Sequence, residues 1–201
     1  MSKAVSGGNS VGKTQQLAGM AIFTAIVVVL QLLGSFIHFG PFSISLVLVP
    51  IVIGAALYGA KAGAWLGFVF GFVVVLLDAG PFLAVSVPAT ALTCISKGVL
   101  AGLAAGLTYR GLHRVNETLA TAAAAVVCPV VNTGVFLLCC RAFFMPTIEG
   151  WARAADFENA GTYLIVGFVG INFLIEMAVN VVLSPVIVRL IRLARETFRM
   201  K

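Results

Sequence analysis

Between Leu46 and Gly80 the chain carries two charges, Lys61 and Asp78, in two apolar arms joined by the turn Gly59-Ala60-Lys61-Ala62-Gly63. At ~1.5 Å per helical residue, each arm reaches or nearly reaches across a ~30 Å hydrocarbon layer. The pattern predicts a helical hairpin. Its turn sits at one membrane face and its open ends, near Ser43 and Asp78, at the other.

Apolar runs of this kind recur from Leu17 onward. Of 201 residues only 10% are charged, against about a quarter in soluble domains. The chain reads as an all-α integral membrane protein with six transmembrane helices, at about 17–33, 44–58, 62–77, 89–108, 118–144 and 162–188. Residues 1–16 read as a flexible tail, 17–195 as the transmembrane domain and 196–201 as a basic tail. A cleavable signal peptide fits poorly, because no small-residue cleavage site follows the first run.

The charges set the orientation. Of 13 basic residues, ten lie in the two tails, the Lys61 turn or the Arg110/Arg114 loop, and all ten fall on one side of a six-span chain. Arg153 alone lies in a loop on the other side, while Lys97 and Arg141 lie within spans. The positive-inside rule then makes both termini cytoplasmic and the protein a multi-pass cell-membrane protein. The net charge of +6 is therefore a topology signal facing the lipid bilayer and not a sign of a nucleic-acid partner.

Several motifs carry no chemistry. Gly7 to Thr14 matches the phosphate-loop pattern, but no strand precedes it and a membrane span follows, so its amides cannot surround a nucleotide. Asn116-Glu117-Thr118 fits a glycosylation site on the wrong side. Cys94, Cys128, Cys139 and Cys140 lack metal-ligand spacing and read as small apolar filler. No paired carboxylates or hydrolase motif appear, which argues against an enzyme and against a bound cofactor.

Two spans have glycine stripes, Gly63/Gly67/Gly71 and Gly98/Gly102/Gly106. Spacing of four lets another backbone approach closely. Ala21 and Ala25 form a similar small pair on the first span. It suits packing inside the bundle or docking of another subunit.

Polar groups inside the membrane are few, and each needs a reason. Lys97, Asn132 and Glu176 lie near the middles of spans four, five and six, with Asn172 and Asn180 one turn either side of Glu176. One reading is a Lys97–Glu176 ion pair with asparagines bridging helices. The other is a polar solute site lined by Lys97, Asn132, Asn172, Glu176 and Asn180. Arg141, about half a turn round from Asn132, either snorkels to the interface or guards the cavity mouth. The external aromatics Phe36, Phe39, Phe42, Phe82 and Trp151 suit interface anchors or a lid over the site.

Taken with six spans and a length near 200, certain residues make the chain resemble a substrate-binding S component of an energy-coupling factor (ECF) vitamin transporter. They are Ala21-Ile22-Phe23-Thr24-Ala25, Ser45-Leu46-Val47-Leu48-Val49-Pro50-Ile51-Val52-Ile53-Gly54, Tyr58-Gly59-Ala60-Lys61-Ala62-Gly63 and Gly67-Phe68-Val69-Phe70-Gly71. The resemblance runs from about Gln16 to Arg195. Ala60 departs from it, since Gly-Pro is common at this turn. The resemblance implies a high-affinity vitamin site open to the outside, formed by external loops and the outer parts of spans four to six. It implies docking of Ala21 and Ala25 on a transmembrane coupling subunit, and two cytosolic ATPases that drive the cycle. The Ser45–Gly54 segment is most similar to pantothenate-type members. Riboflavin, folate and cobalamin remain alternatives, as does a stand-alone proton-coupled transporter using Glu176.

Overall fold

The computed structural model describes the backbone of residues 10–35, 38–39, 42–43 and 46–198. Within these, nine α-helices form a bundle. They are α1 (Ser10–Gly34), α2 (Leu48–Tyr58), α3 (Ala60–Leu77), α4 (Gly80–Leu83), α5 (Val87–Leu112), α6 (Glu117–Cys139), α7 (Met145–Ala154), α8 (Ala160–Thr162) and α9 (Gly170–Phe198). Two strands of two residues, β1 (His38–Phe39) and β2 (Phe42–Ser43), pair antiparallel between α1 and α2. Five helical stretches are long and apolar enough to cross a membrane, and Leu48–Tyr58 is a shorter apolar helix. The outer surface is apolar: Val182 is 73% exposed and Leu76 65%. Lipid, not water, suits such a surface, since soluble proteins rarely expose apolar side chains so extensively.

Two differences from the sequence pattern have a plain cause. The first helix already includes 10–16, because Lys13, Thr14, Gln15 and Gln16 are good or neutral helix formers with nothing to stop the helix before Leu17. The fifth span does not end in an irregular loop. A π-helical stretch, Cys140–Phe144, carries it directly into α7, giving an apolar helical stretch Glu117–Ala154. Helix α7 is amphipathic, with Ile148 and Ala152 buried and Glu149 and Arg153 exposed. Its charges disguised it as a loop.

The hairpin turn is sharp because Gly59 sits at φ +93°, a conformation closed to most side chains. It ends α2 and starts α3 with no linker. The two glycine stripes then meet each other. A Cβ on Gly63 would strike the Gly102 carbonyl, one on Gly67 the Gly98 carbonyl, and one on Gly71 the Cys94 carbonyl. The relation is reciprocal at Gly98 and Gly102. Helices α3 and α5 therefore run antiparallel in backbone contact, the bundle's internal packing that these stripes predict.

The larger core lies among α1, α2, α3, α5, α6 and α9, around Leu48, Ile51, Leu66, Phe70, Cys128 and Ile187. A second cluster gathers Phe82, Cys140, Phe144, Ile148 and Leu164 from α4, the π-helical stretch and the segments around α8. At one end of the bundle, Glu117 ties α6 to α9 through Arg192 Nε at 3.0 Å. Arg192 also reaches Thr118 Oγ1 at 3.5 Å.

Candidate ligand-binding site

Lys97 enters the bundle on α5, one residue before the Gly98–Gly67 contact. That close approach brings α3 and its Phe70 against the same face. The ammonium lies 5.6 Å from the Phe70 ring centre and 5.3 Å from that of Phe136 on α6. Ring faces attract a cation, most strongly where water is scarce. Phe136 meets Phe82 edge-on at 5.9 Å, and Phe82 meets Phe144 at 5.0 Å and Trp151 at 5.4 Å. An aromatic cluster contributed by α3, α4, α6, the π-helical stretch and α7 thus adjoins the lysine. Phe82 and Trp151, two of the external aromatics, pack inward here. That favours a cover over the site above interface anchoring.

Lys97 and Glu176 do not form the ion pair that one sequence reading allows. No carboxylate oxygen lies within 4.0 Å of the ammonium among the described residues. The two groups are still close enough for the ammonium to act electrostatically on the carboxyl. Glu176 is buried on α9, and Cys128 on α6 also lies within its electrostatic reach. Separation without pairing leaves the cation's three donors without a hydrogen-bond acceptor among the described residues.

The asparagines divide. Asn180 is fully buried, and its Nδ2 donates to the Glu176 carbonyl at 2.8 Å, which sets the orientation of the amide. Among the described residues its Oδ1 then has no donor, nor has Oδ1 of buried Asn132. Buried acceptors without donors are costly, so each marks a place where a donor belongs. Pro129 lies inside α6 one turn before Asn132 and has no N–H to give the carbonyl of the preceding turn.

Arg141 stands apart. It is exposed within the π-helical stretch and has no hydrogen bond or ion pair among the described residues. Its neighbour Cys140 turns inward and Lys97 acts on its thiol, so the arginine points away from that layer. The side chains of Phe39 and Asn172 lie outside the described residues. Ala21 and Ala25 are exposed on α1. Between them Thr24 accepts a hydrogen bond from Trp65 Nε1 of α3 at 3.2 Å, which holds α1 with this face outward. Among the described residues, no group of three His, Cys, Asp or Glu side chains has the placement to hold a metal.

A polar group that the sequence reading passed over lies where α1 and α3 end. Asp78 Oδ2 accepts from Gln31 Nε2 at 2.5 Å and from Ser35 Oγ at 2.9 Å. Gln31 lies in the last turn of α1 and Ser35 directly after it, four residues on, and that spacing, with Asp78 at the matching end of α3, was the available signal.

The family model for the ECF transporter, substrate-specific component, matches residues 15–188. The pantothenic acid transporter PanT of Lactococcus lactis subsp. cremoris (strain MG1363) is 29% identical over 91% of this chain and 96% of its own length. Both the span of that match and the helical membrane bundle agree with the motifs of the first helix and the hairpin. The chain belongs to the substrate-specific components of ECF transporters, a family of transport subunits and not of enzymes.

Proposed function

We propose that this chain is the vitamin-binding subunit of an ECF importer and that its ligand is pantothenate. The observation that carries the chemistry is Lys97, a membrane-embedded cation with no carboxylate partner among the described residues, beside an aromatic cluster in a bundle that also buries two carbonyl acceptors, Asn132 Oδ1 and Asn180 Oδ1. A ligand that suits them brings one anionic group for the ammonium and N–H or O–H donors for the amides. Pantothenate has a carboxylate, two hydroxyls and an amide. The pantothenic acid transporter PanT, similar along almost its whole length, supports the same choice. Riboflavin would use the aromatics but leave the ammonium without an anion.

Binding on this reading is from outside, with both termini in the cytoplasm. Release is driven by a transmembrane coupling subunit seated on Ala21 and Ala25 and by two cytosolic ATPases. The exposure of both alanines supports that seat.

The test is calorimetry of the purified protein against pantothenate, riboflavin, folate and cobalamin. Pantothenate alone should bind tightly, and Lys97→Gln should weaken it by about 10- to 100-fold, the range for losing a buried charge-assisted contact. Tight binding of another vitamin would reassign the ligand. Sustained uptake in cells lacking the coupling subunits, abolished by an uncoupler, would favour a proton-coupled transporter using Glu176.

A further inference from the structure

We propose that Gln31, Ser35 and Asp78 form a site for a dehydrated monovalent cation of sodium size, apart from the Lys97 layer. Gln31 is only 2% exposed, and its Oε1 is buried without a hydrogen-bond partner among the described residues. Asp78 Oδ1 is likewise buried and unpartnered. The Gln31 Nε2–Asp78 Oδ2 bond fixes which end of the amide faces the carboxylate, so both orphan oxygens belong to groups already in contact. Ser35 Oγ completes a cluster of oxygens bearing one negative charge.

No lysine or arginine lies within 4.0 Å of Asp78 among the described residues. A carboxylate so placed, at the end of a membrane helix, has two donors on one oxygen and none on the other. Burying that second oxygen without a counter-charge is costly. One added positive charge with a preference for oxygen ligands removes the deficit. A single carboxylate among neutral oxygens suits a monovalent ion, since divalent sites recruit more carboxylates. The two orphan oxygens expose almost no surface to a water-sized sphere. An ion held there has shed its water, and sodium, with the higher charge density, gains more than potassium from a full carboxylate charge at short range. The bound ion would fasten the C-terminal end of α1 to that of α3.

The experiment is thermal unfolding of the full chain in detergent in sodium, potassium or choline chloride at equal ionic strength, without vitamin. Sodium should raise the midpoint over choline by about 4 °C or more, as specific binding at concentrations well above its Kd does, and potassium should do much less. Ser35→Ala should shrink the sodium effect and Asp78→Asn abolish it, while Lys97→Gln should leave it intact. Should Asp78→Asn fail to fold, sodium NMR line broadening by the wild-type protein, reversed by lithium, supports the site. Equal midpoints in sodium and choline, absence of line broadening, or a sodium effect that survives Asp78→Asn would overturn it.

Discussion

Gly67 and Gly98 face each other backbone to backbone, and a Cβ added to either would run into the other's carbonyl oxygen. This contact fixes α3 against α5 and thereby places Phe70 of one helix beside Lys97 of the other. A packing device in the membrane thus sets the geometry of the polar layer.

Substituting this pair should be severe. Gly67→Val or Gly98→Val obliges two backbones to separate, and we expect about 3 kcal/mol or more of destabilisation, near the upper range of single substitutions. Gly134→Ala on α6 is the control, since a Cβ there meets nothing within 4 Å. It should be neutral or stabilising by up to about 1 kcal/mol from helix propensity. Thermal unfolding in detergent reads both.

Asn180 offers a second test. Asn180→Leu removes the orphan Oδ1 together with the amide that donates to the Glu176 carbonyl. Pantothenate affinity should fall by about tenfold, as for loss of a buried hydrogen bond. The unfolding midpoint should change little, because an unsatisfied acceptor leaves with the bond. A large loss of stability with unchanged affinity would make Asn180 purely structural.

The Glu117–Arg192 pair should matter little. Its side chains are 24% and 54% exposed, so solvent screens the attraction. Arg192→Ala should cost no more than about 1 kcal/mol, with a smaller difference at high salt.

Docking separates from binding. Ala21→Trp and Ala25→Trp alter exposed positions on α1 and should leave pantothenate affinity of the isolated subunit within about twofold, since neither side chain reaches the Lys97 layer. Co-purification with the coupling subunits, and uptake by the full complex, should be lost because bulky rings obstruct a close helix seat. Uptake that survives both substitutions would remove these alanines from the interface.

Much of the architecture was legible because membrane insertion writes itself in composition and spacing. Long uncharged runs must be helices, since the lipid core offers no partner for free backbone groups. Glycines four apart must share a face. The residues Lys97, Asn132, Glu176 and Asn180 stood out because charge and amide are rare in such runs. Gln31 and Asp78 were passed over because each sits near a span end, where a polar residue needs no special reason. Helix α7 was mistaken for a loop because its half-polar face resembles a connection.

The apolar arms, the Lys61 turn and the glycine spacing were enough to determine a membrane helical bundle and a hairpin within it. They are local properties, set by what each segment can bury or hydrogen-bond by itself. Only the tertiary structure decided which stripe meets which, and that Lys97 turns to Phe70 and Phe136 and not into a pair with Glu176. Those outcomes depend on how helices distant in sequence pack together, and no single span carries that information.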